Sequence, residues 1–482
     1  MTPLETLGRH TAWDGIRAVV IGIGSSGFAA ADTLTHLGAS VTVLAEHADD
    51  RQREAAALLE VLGAQARIGP GSTAVLPATD LVVTSPGVPP TAPVLVEADR
   101  RGVPVWGEVE LAWRLRDPQH PGVWLCVTGT NGKTTTVQML DTVLRAAGLN
   151  SIACGNVGLP TVEAVMDPES YAVYAVELSS FQLHYTSTVS AHAAAVLNVA
   201  EDHLDWYTGP DGMASYAADK GRIFERVQAA CVYNAADPVT EQLVRDADVV
   251  EGARAVGFTL GTPAPGMVGL VEDVLADRAF VEDREHRAAE LCTVADLASP
   301  APHFVANALA AAALARSVGV PPSAVRDGLS SFAPDGHRIA DLGQVASVGY
   351  VDDSKATNPH AAASSLLAFD SVVWVAGGLT KGASFDGLVA SVRSRLRGVV
   401  LLGRDRDVIA GALARHAPDV PVIVVEGDDT SVMDRVVEAA AGLAQPGDTV
   451  LLAPGCASMD MFANYGARGD AFAESVRRLR DR

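Results

Sequence analysis

The stretch Thr128–Thr136, TGTNGKTTT, decides how this chain is read. It follows the apolar run VWLCV at Val123–Val127 and leads into VQMLDTVLRAAG, whose apolar spacing predicts a helix. Strand, glycine loop, Lys-Thr and helix, in that order, make a phosphate-binding layout. Gly129 and Gly132 let backbone N–H groups turn inward on an anion. Lys133 reaches the outer phosphates, and Thr134 offers a hydroxyl to Mg²⁺. The general pattern asks for glycine at position 127, where this chain carries Val127, so the loop is a variant.

Upstream, AVVIGI at Ala18–Ile23 reads as a buried strand, followed by GIGSSG, a helix through Gly38 and a second strand, SVTVL. Gly22, Gly24 and Gly27 match G-x-G-x-x-G, a weak signal alone, which suits the pyrophosphate of a dinucleotide or a nucleotide sugar. Glu46 is only an approximate match to the acid that would take a dinucleotide ribose. Leu81–Thr84 is a further short strand, running into Ser85, Pro86 and Gly87. The proline-rich RDPQHPG at Arg116–Gly122 marks a first boundary and APDGHR at Ala333–Arg338 a second.

Between the boundaries, Tyr171–Val176 and Ala193–Val199 are strand candidates, and Met213–Arg226 and His303–Val318 are helix candidates. Glu251–Glu290 is acidic and reads as irregular. After the second boundary, Gly349–Val351, Val372–Ala376, Val399–Leu402, Val422–Val425 and Thr449–Leu452 alternate with helices. The expected class is α/β with three domains. These are a Rossmann-like one over 1–119, a central phosphate-loop domain with a mostly parallel sheet over 120–334, and a Rossmann-like one over 335–482.

Length and composition agree. A chain of 482 residues holds about three domains of common size. Net charge is −22, from 36 basic and 58 acidic residues, which argues against a nucleic-acid or anionic-membrane surface. Five widely spaced cysteines without a C-x-x-C pair point to reduced thiols in a cytoplasmic protein. The N-terminus, MTPLETLGRH, lacks the pattern of a signal peptide, and no apolar run is long enough for a membrane span.

Other residues draw notice by position. Glu177 closes an apolar strand, where a carboxylate beside a phosphate loop suits Mg²⁺. His203 stands between Asp202 and Asp205; a lone histidine is ordinarily a surface or satisfied core residue, and the carboxylates make a cation site plausible. Lys220, in SYAADKGRIF, reads by itself as a solvated lysine on a polar helix face. DDSKATNP at Asp352–Pro359, GGLTKGASF with Lys381 and LLAPGCASMDMF with Ser458 each follow a strand. Three polar loops at strand ends of one open sheet should converge on a crevice suited to a small dicarboxylate.

TGTNGKTTT, GNVGLP, ELSSFQL, NVAEDHLD, the helix lysine Lys220, GHR, DDSKATNP and PGCASMDMF occur in this order. Together they resemble the Mur ligase family, and the last two loops resemble its D-glutamate-adding branch. The resemblance implies a monomeric, cytoplasmic ligase that joins D-glutamate to UDP-N-acetylmuramoyl-L-alanine, with ATP as co-substrate and two Mg²⁺ ions. It implies ATP contacts from Gly129, Thr130, Asn131, Gly132, Lys133, Thr134 and Thr135, and from Asn307, Arg338 and Asp353. Thr134, Glu177, His203 and a carbamylated Lys220 would hold the metal ions. Ser25 and Ser26 would meet the uridine diphosphate, and Asn156 would lie near the reacting carboxylate. Thr357, Lys381, Ser458 and the backbone at Tyr465 would hold D-glutamate. The chain departs from the family at VLAEHAD, where many members carry an acid before a polar pair, and at Tyr465, where better-known members have Phe. Three other readings stay open: a sister amide ligase (folate-extending enzymes included), an NAD-linked oxidoreductase resting on GIGSSG, and a nucleotide-gated module without catalysis.

Overall fold

The computed structural model describes residues 4–208, 210–334, 336–427 and 431–482. Three sheets form from the apolar runs. The first holds β1 (Arg17–Ile21), β2 (Ser40–Ala45), β3 (Gln65–Ile68), β4 (Leu81–Thr84) and β5 (Val105–Gly107), all parallel in the order β3-β2-β1-β4-β5. The chain fills one side of β1 and then returns to the other. The C-terminal ends of β1 and β4 therefore flank a crevice, with GIGSSG on one lip and Ser85 on the other.

The second sheet holds β6 (Val123–Thr128), β7 (Ser151–Gly155), β8 (Val173–Glu177), β9 (Ala193–Val196), β10 (Ala230–Asn234), β11 (Arg254–Phe258), β12 (Met267–Val271), β13 (Val274–Asp277) and β14 (Ala289–Thr293). Their order is β14-β13-β12-β11-β10-β9-β6-β8-β7. β6 is apolar up to Thr128 and lies between β8 and β9, as a strand covered on both faces should. The segment Glu251–Glu290, expected to be irregular, instead holds β11, β12 and β13, and β14 opens within it. These strands are short, and those from β12 to β14 pair antiparallel around a bulge at Leu275/Ala276. Their acidic turns masked the alternation.

Two helices fix the start of the segment after β6. Helix Pro302–Ser317 is largely apolar and buries Ala308, Ala310, Ala311, Ala312, Ala313 and Ala315 against helix Lys133–Ala146 and strands β9 to β11. Helix Pro322–Ser331 approaches Lys133–Ala146 at Gly328, where a Cβ would lie 2.5 Å from the Val143 Cα.

The third sheet holds β15 (Ala340–Val345), β16 (Val348–Asp352), β17 (Val372–Gly377), β18 (Leu396–Leu402), β19 (Val422–Val424) and β20 (Thr449–Leu452), in the order β15-β16-β20-β17-β18-β19. Only the β15–β16 pair is antiparallel. The first two sheets lie in one compact unit, up to Val199 together with Ala214–Phe332. Ala200–Met213 and Ala333–Arg482 form the other.

Within the first unit, helix Glu108–Arg114 ties the two sheets together through two buried carboxylates. Glu110 accepts from the Ser187 and Thr188 N–H groups at 2.7 and 2.9 Å, from both hydroxyls, and from Arg114 at 2.8 Å. Burial pushes its pKa up, but these donors outweigh burial and the net direction is down. Glu108 accepts from Val162 N–H, while its Oε2 is buried with no hydrogen-bond partner. Burial pushes Glu108 up to about 7 from 4.5. The folded chain thus holds this proton more tightly than the unfolded one, so Glu108 lowers stability as pH rises from 4.5 through 7. The loss reaches about 3 kcal/mol at most. Glu108→Gln should therefore gain melting temperature over the parent chain at pH 8 relative to pH 5. A difference between the two melting temperatures that does not change with pH would refute the neutral buried carboxyl.

Candidate active site

The glycine loop lies where β6 ends, between the ends of β8 and β9. Gly129 and Gly132 have φ of +156° and +85°, values that side chains rarely adopt. Gly132 precedes helix Lys133–Ala146, and no side chain caps that helix. Its first-turn N–H groups and positive dipole end therefore suit an anion. Lys133 Nζ donates to the Gly129 and Thr130 carbonyls at 2.9 and 3.0 Å, so its ammonium folds over the loop. Thr134 is half-buried and Thr135 is buried on the first turn. The Asn307 side chain, on the Ala-rich helix, fills the space a Cβ at Gly132 would need.

Beside the loop, Glu177 ends β8 and is 1% exposed. Its Oε1 accepts from Asn156 Nδ2 at 2.8 Å, and the Asn156 N–H donates to the Glu177 carbonyl at 2.9 Å. Its Oε2 is buried and has no hydrogen-bond partner. A buried carboxylate oxygen left this way is the kind of donor a cation satisfies. Lys220 corrects the solvated reading: it is 1% exposed, and its Nζ donates to the Gly129 carbonyl at 2.8 Å. That is the same oxygen that Lys133 uses. The Lys220 ammonium also lies 4.4 Å over the Tyr216 ring, whose hydroxyl meets Thr130 Oγ1 at 3.0 Å. Among the described residues no group of three His, Cys, Asp or Glu side chains stands together as a metal site.

In the first sheet, Ser25 and Ser26 open helix Ser25–His36 directly after the glycine turn. Gly22 has φ +89°, and a Cβ there would lie 2.6 Å from Ser85 Oγ. Ser85 Oγ is itself buried without a partner at this crevice. Glu46 does not face the crevice as a ribose acceptor would. Its carboxylate is taken by the Gly71 and Thr73 N–H groups at 2.7 and 2.9 Å and by the Thr73 hydroxyl. The oxidoreductase reading loses its acid.

In the other unit, the three polar loops follow β16, β17 and β20, which are neighbours in the sheet. The Leu379 and Ala457 backbones exchange two hydrogen bonds of 2.9 Å, and Gly455 N–H donates to the Ala356 carbonyl at 2.8 Å. Lys381 sits in the left-handed region at φ +51°, Thr357 is half-buried and Ser458 is buried. The organiser is Arg468, 1% exposed, on helix Tyr465–Arg480. It donates to Ser354 Oγ at 3.0 Å, to the Ser354 carbonyl at 2.9 Å and to the Cys456 carbonyl at 3.0 Å. Ser354 Oγ in turn donates to the Tyr465 carbonyl at 2.7 Å. Burial lowers the Arg468 pKa to about 10. Asp353 is pushed by burial up to about 6, against the Ser365 hydroxyl, the Ile339 N–H and the Arg338 charge. Its neighbour Asp352 meets His337 Nδ1 at 2.6 Å. His203 has φ +56°; its N–H donates to Asp202 Oδ1 at 2.9 Å, and Asn358 Nδ2 lies 3.4 Å from Asp202 Oδ2.

Three family models match this chain: the Mur ligase MurD-like N-terminal domain over 16–107, the Mur ligase middle domain over 127–315 and the Mur ligase glutamate ligase domain over 337–456. The chain belongs to the Mur ligase family. A UDP-N-acetylmuramoylalanine–D-glutamate ligase from Streptomyces avermitilis is 60% identical over 97% of this Mur ligase and 99% of its own length. One from Thermobifida fusca is 56% identical over 96% of this chain and 99% of its own. Solved structures show the same fold at low identity. A UDP-N-acetylmuramate-alanine ligase from Thermotoga maritima aligns with TM-score 0.56 at 19% identity, over 96% of this chain and 100% of its own. A MurF ligase from the same organism, in complex with ADP, aligns with TM-score 0.53 at 16% identity, over 99% and 100%.

The fold brings Lys133, Thr134, Glu177, Asn156, Lys220 and Asn307 of this Mur ligase together around the end of β6. It gathers Lys381, Ser458, Thr357 and Tyr465 on neighbouring loops of the other unit. His203, Arg338 and Asp353 belong to that other unit as well. Sequence reading missed Arg468, Tyr216 and Asn198. Arg468 sits inside YGARGD, an ordinary helix start, and nothing local marks it as buried.

Proposed function

We propose that this Mur ligase joins D-glutamate to UDP-N-acetylmuramoyl-L-alanine at the expense of ATP, in the building of peptidoglycan precursors. The observation that carries the reading is the 60% identity, over 97% of the chain, to a relative named for that ligation. In this reading residues 1–119 take the UDP-linked substrate, 120–334 take ATP and 335–482 take the amino acid. ATP transfers its γ-phosphoryl group to the terminal L-alanine carboxylate, giving an acyl phosphate and ADP. The D-glutamate amine attacks the acyl carbon, and the tetrahedral intermediate collapses to an amide and phosphate.

Two anions, the carboxylate and the triphosphate, must meet, so charge neutralisation and alignment carry the catalysis. Lys133 on the γ-phosphate and the loop Gly129–Thr135, through the N–H groups that open helix Lys133–Ala146, supply the first share. Asn307, Arg338 and Asp353 are the further ATP contacts. Ser25 and Ser26 bind the uridine diphosphate, and Asn156 orients the reacting carboxylate. Thr357, Lys381, Ser458 and the Tyr465 backbone hold D-glutamate.

Thr134, Glu177, His203 and a carbamylated Lys220 would hold two Mg²⁺ ions, which when bound neutralise phosphate charge. The partnerless Glu177 Oε2 fits such an ion. So does Lys220: two ammonium groups share one carbonyl oxygen, and carbamylation would replace one of them with an anionic ligand. The protein is proposed to act as a cytoplasmic monomer. Its five cysteines are buried free thiols, and no described helix is long and apolar enough to cross a membrane.

The test is phosphate release from ATP with Mg²⁺ and UDP-N-acetylmuramoyl-L-alanine, adding D-Glu, L-Glu, D-Ala, L-Ala or L-Lys separately. Turnover is expected with D-Glu alone. Turnover with another amino acid instead would move the chain to a sister ligase, and none with any would overturn the reading.

A further inference from the structure

β6 runs to Thr128, and the loop Gly129–Gly132 leads directly into helix Lys133–Ala146. Val127 replaces the first glycine of the general pattern, and a residue outside the loop holds two of its peptide groups. The Asn131 N–H donates to Asn198 Oδ1 at 2.8 Å, and Asn198 Nδ2 donates back to the Asn131 carbonyl at 3.1 Å. The Thr130 N–H donates to the Asn198 carbonyl at 2.9 Å. The side-chain amide thus pairs with both polar groups of one loop residue, as a neighbouring strand would.

Asn198 is itself held on a frame. Leu197 N–H donates to the Thr128 carbonyl at 3.0 Å, and Asn234 Nδ2 donates to the Leu197 carbonyl at 3.1 Å. Val199 N–H donates to Asp237 Oδ2 at 2.9 Å. The end of β10 and the cap of helix Pro238–Asp246 therefore fix residues 197–199, which in turn fix the loop.

We propose that Asn198 is a positioning residue of the nucleotide site, a role that rests on reading the loop as the ATP site. It turns the Thr130 and Asn131 amides toward itself, so that anion recognition falls on the start of helix Lys133–Ala146. Only asparagine supplies an acceptor and a donor at this reach without charge. Aspartate keeps the acceptor, loses the donor and sets a negative charge beside the bound phosphates.

The experiment compares Asn198→Ala, Asn198→Asp and Lys133→Ala in the full chain. It reads amide hydrogen exchange at Thr130 and Asn131 without ligand, affinity for AMP-PNP with Mg²⁺, and KM for ATP against KM for D-glutamate. Asn198→Ala should speed exchange at Asn131 and weaken AMP-PNP about tenfold, with KM for ATP raised and KM for D-glutamate unchanged. Asn198→Asp should keep Asn131 protected yet weaken AMP-PNP at least as much. Parent-like exchange and affinity in Asn198→Ala overturns the proposal. If that variant does not fold, parent-like AMP-PNP affinity in Asn198→Asp overturns it instead. Rapid exchange at Asn131 in the parent chain also overturns it. Lys133→Ala separates the two readings. If it retains AMP-PNP affinity and turnover, the ATP site itself is misplaced. If it alone loses them, only the role of Asn198 falls.

Discussion

Lys133→Ala should remove ATP-driven phosphate release almost entirely, with a loss of about 10³-fold or more, since deleting a single transition-state donor already costs about 10²–10³. The Lys133 ammonium folds back over the loop onto the Gly129 and Thr130 carbonyls. In the proposed mechanism Lys133 meets the γ-phosphate, and water filling the space left by alanine would stabilise the transferred charge less in a shielded site. Lys133 is half-buried at a helix start, so the variant should still fold and melt close to the parent. Phosphate release, with melting as control, reads the effect. Parent-like turnover would remove the loop from the mechanism, whereas lost turnover together with a lowered melting temperature would call for Lys133→Arg to separate charge from folding.

Arg468→Met should be strongly destabilising. The guanidinium satisfies the Ser354 and Cys456 carbonyls and the Ser354 hydroxyl, all in a buried setting. Methionine fills the volume and leaves those acceptors without a donor, at about 1–3 kcal/mol for each group and about 3–5 kcal/mol for the set. Because the same bonds tie the loops after β16 and β20, KM for D-glutamate should rise at least tenfold while KM for ATP moves far less. Arg468→Lys carries the charge but not the planar fork, and should fall between the two. Melting temperature and the two KM values decide. A methionine variant that melts with the parent and keeps its KM for D-glutamate would show that the loops hold themselves.

What the sequence made legible follows from how local the signals are. The glycine loop, the strand-end Glu177 and the three loops of the last sheet announce themselves by residue type at strand ends, and the strands read from apolar runs lie within a few residues of those observed. Lys220 illustrates the limit. Its helix looks polar and solvated, yet the side chain is buried beneath the loop, because Tyr216 one turn earlier and Gly129, ninety-one residues away, close around it. Asn198 and Arg468 act through backbone carbonyls and amides far along the chain, and such partners leave no pattern in a single sequence. Glu108 and Glu110 look like two equal acids of a helix start. Their opposite pKa directions come from the donors that tertiary packing brings to one and denies to the other.

The alanines of helix Pro302–Ser317 have a consequence of their own. Asn307 lies among them, with its Oδ1 2.4 Å from where a Cβ at Gly132 would stand, on a helix packed through its alanines. The run works as a shim: its thickness sets how far the amide stands from the loop. A bulkier residue on its packed faces would lift the whole helix and carry Asn307 out of reach, without touching any residue of the site. The gauge of the glycine-loop site is therefore written in the most featureless part of the sequence.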